Sequence, residues 1–454
     1  MEQFDAHALS AARIRFDFDG LRRGYYSDKY FENVVRVLEV AVAQQYTFAG
    51  RSPRFPEAAQ LGIPVGDLVV EAQIFTRHKP RALAAGIHPA LTILRHCTGY
   101  FDQGAFTGQF VETWQHLDVE AVPDGTFLPY DGDPEHVAPA IKIRGRYRDF
   151  ALLETPLLGV LSRATRIATH VYRVLEVANG KRILYFPARF DLPEVQAVDG
   201  YAHWLAVQRY NFDTKGTVPS LVSTDAQGEW WGGRGVGTVP HALIAAFMAD
   251  TAEAMVRYAM ALPVDIPRIA LVDFNNDSVG DALRVLDAYW PHYRAALERN
   301  DPEAQRRWTL DGVRLDTSPN VRDIALQEGD PTGVSAKLVR LVRQALDDAW
   351  KRWSVPAELE EGARQFCRQV RIVVTGGVSR DRIIQFEAEG APIDTYGVGS
   401  SFLRNDPDTN TDFTMDVVRV LVDGEWRPLA KIGRKPNDNP DLRRVDLSAY
   451  ASEI

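Results

Sequence analysis

Five short apolar runs, each ending in polar or glycine-rich residues, recur after residue 151 and constrain the fold more than any other feature: RILYFPARF, RIALVDFNND, GVRLDTSP, VRIVVTGGVS and IDTYGVGSSF. Helical stretches lie between them, among them PHALIAAFMADTAEAMVRYAMAL, SVGDALRVLDAYWPHYRAALE and the amphipathic VSAKLVRLVRQALDDAWKRW. Strand, polar tail, then helix is the rhythm of parallel β/α units. ALLETPLLGVLSRATRIATHVYRVLEVAN, ahead of the first run, reads as one long helix or two. In a β/α barrel the chemistry gathers at the C-terminal ends of the strands, where these tails fall.

The flanks have a different texture. Up to residue 150, helix-period YFENVVRVLEVAVAQQ is followed by strand-like DLVVEAQIFT, FVETWQHLDVEAV and IKIRGRY, with a turn at Pro123-Asp124-Gly125. That succession suggests an α+β layer. The tail VVRVLVDGEWRPLAKIG reads as a hairpin around Asp423-Gly424. The expected fold is therefore α/β, an irregular β/α barrel over 151–404. Residues 1–150 form an α+β domain on which a C-terminal segment, 405–454, packs back. A chain of 454 residues is long enough for two or three such units.

Composition narrows the functional classes. With 45% hydrophobic and 25% charged residues the balance is that of a globular protein. A net charge of −9 argues against a nucleic-acid binder, yet a few local Arg and Lys residues can still hold a small anion. No apolar run reaches the ~18 residues that span a bilayer. The first twenty residues lack the basic start, apolar core and cleavage site of a signal peptide. A cytoplasmic protein without membrane partners is expected. Cys97 and Cys367 belong to no metal-ligand spacing and are expected as thiols in a reducing compartment.

The glycine-rich ends are the most informative local signals. Gly376 and Gly377 close one strand, and Gly397, Gly399 and Ser400 close the next. Glycine lets the backbone approach an anion closely, so two such turns suit a phosphate. Asp273 and Asp316 each follow an apolar run, where a carboxylate can hold ribose hydroxyls or a magnesium ion on phosphate oxygens. Helix capping or pairing with Arg314 is the structural alternative for both. Arg314, two residues before Asp316, points to the same side of its strand and can bind an anion bidentately. His241, in GTVPHAL at the first turn of an apolar helix, is either structural or a group that transfers a proton or accepts a phosphoryl. Ser27-Asp28-Lys29-Tyr30 precedes a helix, where capping is the plain reading. The Trp-rich GEWWGGRG reads as a loop over one end of the barrel.

Together and in this order the motifs resemble the nicotinate phosphoribosyltransferase family, of the type II phosphoribosyltransferase class. Ser27-Asp28-Lys29-Tyr30 is similar to the family's Thr-Asp-x-Tyr. The likeness continues through LLETPLLGVLSRATRIAT, GTVPHALIAAF, LVDFNND, GVRLDTSP, VTGGVS and DTYGVGSSF to LAKIGRK, a looser match to a C-terminal lysine motif. The resemblance implies that nicotinate nitrogen attacks C1 of phosphoribosyl pyrophosphate and displaces pyrophosphate, with magnesium as cofactor and ATP as co-substrate. It further implies that His241 is phosphorylated by ATP. Tyr30 would cover the pyridine ring, often from the other subunit of a homodimer, and Asp28 would bind substrate. Gly376, Gly377, Gly397, Gly399 and Ser400 would take the 5′-phosphate, and Asp273, Asp316 and Arg314 the ribose, magnesium or anionic side. Lys431 and Arg434 would serve the pyrophosphate end.

One segment departs from the family. After the first barrel strand the family has Phe-Gly-x-Arg-Arg, whereas Phe190-Asp191-Leu192-Pro193-Glu194 carries no arginine. The following DGYAHWLAVQRYNFDTKGTVPSLVSTDAQ also lacks the family's Gly-Gly-x-x-Gly-Thr-Ser. An uncompensated buried carboxylate is costly. Either Arg189, Arg209 or Arg314 substitutes, or the base is nicotinamide, or less readily quinolinate. A phosphate-binding barrel isomerase or aldolase would share the glycine turns and acidic strand ends but would not explain Ser-Asp-x-Tyr or GTVPH; a non-catalytic phosphoribosyl-binding relative is a further alternative.

Overall fold

The computed structural model describes residues 4, 14–104 and 106–451. Residues 1–3 and 5–13, most of the segment read for a leader, lie outside them. The five apolar runs form strands Arg182–Tyr185, Ile269–Leu271, Gly312–Leu315, Arg371–Val374 and Thr395–Val398, all parallel in one sheet with the two-residue strand Leu221–Val222. Across that sheet the strands run Ile269–Leu271, Gly312–Leu315, Arg371–Val374, Thr395–Val398, Arg182–Tyr185, Leu221–Val222. Taken as a circle this is chain order, the order of a β/α barrel. Only one neighbour pair is unmade among the described residues, between Leu221–Val222 and Ile269–Leu271.

The seam stays open because Leu221–Val222 is too short to present a second ladder edge. Non-strand backbone lies along it instead. Val236 N donates to Val222 O at 2.7 Å, Gly235 bridges Val222, and Arg314 Nη2 donates to Val239 O at 3.0 Å. The result is a curled half-barrel, the irregular form expected from the sequence.

The second sheet is antiparallel, in the order Glu425–Pro428, Phe413–Val422, Val69–Thr76, Ile141–Arg146, Asp118–Ala121, Arg443–Arg444. The tail therefore enters the N-terminal layer as an inner strand, with Phe413–Val422 against Val69–Thr76. Its hairpin turns at Asp423 and Gly424, both at positive φ (52° and 79°), the combination that matches the twist of a two-residue turn. FVETWQHLDVEAV is two strands rather than one: a turn at Trp114–His116 separates Phe110–Glu112 from Asp118–Ala121.

ALLETPLLGVLSRATRIATHVYRVLEVAN resolves into a single helix, Glu154–Val177, that serves both sheets. Leu157 and Leu161 are fully buried in the core of the antiparallel sheet, while Ala164, Ile167, Ala168 and Val171 are fully buried in that of the barrel. The Thr165 and Thr169 hydroxyls accept from Ala85 N and Leu83 N at 3.1 and 3.0 Å, fastening strand Arg81–Leu83 to the helix.

Two helical expectations change. PHALIAAFMADTAEAMVRYAMAL is not one helix but His241–Ala246 and Thr251–Ala261. Met248 and Ala249 take positive φ (53° and 66°), and Asp250 caps the second helix through Glu253 N. The segment between the first two strands contains a helix, Gln196–Thr214, that its composition conceals because Asp199, His203 and Tyr210 are buried with its apolar residues. The Trp-rich loop packs on that helix, Trp231 stacking on Trp204 at 6.3 Å and Trp230 lying 6.1 Å from Tyr201. Both cysteines are buried thiols, and no described helix is long and apolar enough to cross a membrane.

Leu161→Ala should lower stability by about 2–5 kcal/mol, because it opens a cavity under the helix that both sheets share. Urea unfolding measures this, and a loss under 1 kcal/mol would contradict the shared-strut arrangement.

Candidate functional site

A cavity of about 320 Å³ opens where the parallel strands end. His241, Arg314, Asp316, Gly376, Gly377, Gly397, Gly399 and Ser400, each singled out in the sequence, line it together with Phe186, Arg189, Phe190 and Thr238. These residues come from four strand ends and the segment that borders the seam, so it is the curl of the sheet that brings them together.

The two glycine turns form one side. Gly376 and Gly377 have φ of 79° and 67°, a conformation L side chains resist, and a Cβ on Gly376 would lie 3.1 Å from Asp316 Oδ1. On Gly397 a Cβ would come within 2.5 Å of Thr375 Cγ2 and 2.8 Å of the Phe186 ring. The missing side chain at Gly397 is thus the space in which Phe186 lies. Ser401 Oγ donates to Val378 O at 3.0 Å and ties the turns to each other.

His241 begins helix His241–Ala246 after Pro240, which holds the capping position, and its side chain is half-exposed. Its Nε2 lies 3.0 and 3.1 Å from the two carboxylate oxygens of Asp273, which is nearly buried. Nε2–H donating to Asp273 leaves Nδ1 as the nitrogen open to a reactant. Burial raises the Asp273 pKa and the nearby Asp316 charge adds to this, against the lowering effect of His241. Capping of the next helix, Ser278–Glu298, falls to Asp277, which accepts from Gly280 N at 2.9 Å. Arg314 is buried, one Nη bonded to Val239 O and the other 3.8 Å from Asp316, and burial lowers its pKa. Its Nε is buried without a hydrogen-bond partner.

The departure at 190–194 changes register. Strand Arg182–Tyr185 ends immediately before Phe186, and Phe190 lies in the next turn, Ala188–Phe190. Counted from Phe186, the Phe-Gly-x-Arg-Arg spacing puts Arg189 at the first arginine and Phe190 at the second. Arg189 is exposed at the cavity and stacks 5.0 Å from the Phe190 ring, and no described carboxylate pairs with it. Phe186 was missed in the sequence because Phe190 also precedes a polar turn. Asp191 is taken by Arg163, which also binds Asp199, both at 2.7 Å. Arg209 is excluded from the cavity: it pairs with Asp213 at 3.0 Å and donates to Gly125 O.

Besides Asp273, which reaches the cavity only through His241, four candidates do not line it. Asp28 accepts from Tyr30 and from Thr155 at the start of the long helix, at 3.1 and 3.0 Å, rather than capping its own helix. Tyr30 is 59% exposed. Asp28 and Asp416 lie near Glu154, whose pKa is pushed up to about 7 by burial first and these charges second. Lys431 is exposed on the loop after Glu425–Pro428, and Arg434 pairs with Asp416 at 2.9 Å.

No family model matches the chain. Among solved structures, a nicotinate-nucleotide pyrophosphorylase from Pyrococcus furiosus aligns at a TM-score of 0.60 and 24% identity, over 96% of this chain and 82% of its own. Human nicotinic acid phosphoribosyltransferase aligns at 0.56 and 17%, over 88% and 76%. At these identities the likeness is one of fold, a parallel half-barrel joined to an antiparallel sheet.

Asp273→Asn should leave stability at pH 7 equal to or above that of the unsubstituted protein. A carboxyl whose folded pKa is raised loses stability as pH climbs from its unfolded value, about 3.9, through its folded one. The advantage of the Asn variant should therefore shrink as pH falls below about 4. Urea titrations at both pH values test this. A variant clearly weaker at pH 7 would show that the hydrogen bond with His241 outweighs burial.

Proposed function

We propose that the protein transfers the phosphoribosyl group of phosphoribosyl pyrophosphate to a pyridine carboxylate, nicotinate being the base the site suits best. One observation carries this reading: two anion-suited glycine turns, the Arg314–Asp316 pair and His241, held from behind by Asp273, converge on one cavity at the strand ends. The fold is shared with a nicotinate-nucleotide pyrophosphorylase and a nicotinic acid phosphoribosyltransferase, which supports it.

In this scheme the 5′-phosphate rests on the turns at Gly376–Gly377 and Gly397–Ser400, whose glycines let the backbone approach the anion. The ring nitrogen forms the bond to ribose C1 as the bond from C1 to the pyrophosphate oxygen breaks, and pyrophosphate departs with that electron pair. Phe186 offers an aromatic face for the ring, and Arg189 a free guanidinium for its carboxylate. The Asp316 charge raises the proton affinity of Asp273, and the two carboxyls suit a developing positive ribosyl centre.

The same carboxylates fit magnesium, which takes one or two carboxylates along with substrate phosphates. No cluster of three or more acidic, His or Cys ligands occurs among the described residues. Magnesium would supply charge neutralisation of the pyrophosphate. His241 would accept the γ-phosphoryl of ATP on Nδ1, releasing ADP, while Asp273 holds the proton on Nε2. Water then hydrolyses the phosphohistidine, which makes transfer favourable. A homodimer would bring Tyr30 of a second copy over the ring. Arg189 favours a carboxylate over the neutral amide of nicotinamide, and Phe190 in place of a second arginine disfavours the dicarboxylate quinolinate.

Purified protein with phosphoribosyl pyrophosphate, magnesium and each pyridine, with and without ATP, should form most mononucleotide from nicotinate with ATP present. Absence of product from every pyridine would overturn the reading. His241→Ala should abolish the stimulation by ATP. Arg189→Ala should raise KM for nicotinate about 10- to 100-fold, the range of a lost charged hydrogen bond, and change nicotinamide kinetics little. Equal effects on both bases would remove Arg189 from carboxylate recognition.

A further inference from the structure

We propose that the open seam holds a second ligand site, beneath the candidate active site, for a small uncharged apolar molecule about the size of one aromatic ring. This site does not depend on the transferase reading.

Side chains alternate along a strand, so every second residue faces into the barrel. Phe186, Asp316, Gly397 and Gly399 face the upper cavity; Leu184, Val373 and Thr395, on the same alternation, face inward below it. A barrel interior is ordinarily filled by stacked layers of bulky residues. Here strand Leu221–Val222 contributes a single inward position, and its pairing to Ile269–Leu271 is unmade. What remains is a lower cavity of about 130 Å³.

Its walls are Leu184, Leu221, Val236, Ile269 and Val373. The charged residues at it, Arg182, Asp311 and Arg371, stand at or before the first residues of their strands, so they rim its outer mouth. Asp311 is already engaged, accepting from Arg268 N at 2.7 Å and from Arg306 at 3.1 Å. An ion among the aliphatic walls would lack a partner, and burying it unpaired is costly. An apolar cavity of similar size, ~150 Å³, stays dry and accepts benzene or xenon. A Cβ built on Gly237 meets nothing within 4 Å, so the seam segment leaves room there.

Thr238 lines both cavities. The next residue, Val239, accepts the hydrogen bond from Arg314, and His241 follows two residues later. A molecule in the lower cavity therefore touches the segment that carries the active-site groups.

Xenon-pressurised crystals of the full chain should show a xenon peak among Leu184, Leu221, Ile269 and Val373, and ligand-observed NMR should detect saturable benzene binding. Gly237→Leu and, separately, Leu221→Phe should each cut benzene binding at least tenfold in protein whose circular dichroism and melting remain cooperative. Ordered water in place of xenon, or benzene binding unchanged in both folded variants, would overturn the proposal. Benzene binding with no mononucleotide formation from any pyridine would leave this site standing and remove only the transferase reading.

Discussion

Burial of helix Glu154–Val177 on two sides is the constraint the rest of the structure depends on. Its first turns complete the core of the antiparallel sheet and its later turns that of the half-barrel, so neither sheet closes its hydrophobic face without it. Polar contacts fix the helix in place. Thr165 and Thr169 bind the strand at Arg81–Leu83, Ser162 Oγ accepts from Phe413 N at 3.0 Å, and Arg163 holds Asp191 and Asp199 after the first barrel strand. A Cβ on Gly86 would lie 2.9 Å from Val160 O, so the N-terminal layer approaches the helix at backbone distance. The position of the first strand end, and with it Phe186 and Arg189, is thus set partly from outside the barrel.

Electrostatics at the cavity follow from a balance of burial and pairing. Arg314 and Asp273 are both held where burial disfavours their charge, each beside an opposite charge that partly restores it. Groups kept in that state are poised for ligands that supply the missing interaction, which is the usual meaning of perturbed ionisation in a cleft. Arg189 differs: exposed and without a carboxylate partner among the described residues, it needs no rearrangement to meet an incoming anion.

The sequence made the barrel strands legible because each is a short apolar run with an abrupt polar end, and the curl converts those ends into a shared cavity. Asp316, Gly376, Gly377, Gly397, Gly399 and Ser400 were readable for that reason. What was illegible has physical causes. Leu221–Val222 is too short to carry a period. Gln196–Thr214 buries polar residues among apolar ones, which erases its amphipathic pattern. The break after Ala246 rests on left-handed Met248 and Ala249, residues whose types favour helix. Phe186 was overlooked for Phe190 since two phenylalanines four apart allow two registers, and only the end of the strand decides between them.

Strand Val69–Thr76 has its partner Phe413–Val422 at the far end of the chain. At synthesis rates of ~5–20 residues per second, tens of seconds separate the emergence of the two from a ribosome. Through that interval Val69–Thr76 can pair with Ile141–Arg146 on one side only, leaving a buried-type strand with an open edge. Completion of the N-terminal sheet is therefore a late event that waits for a strand made after the whole barrel, and chains cut short before Phe413 would carry a finished barrel sequence beside an adhesive, half-built layer.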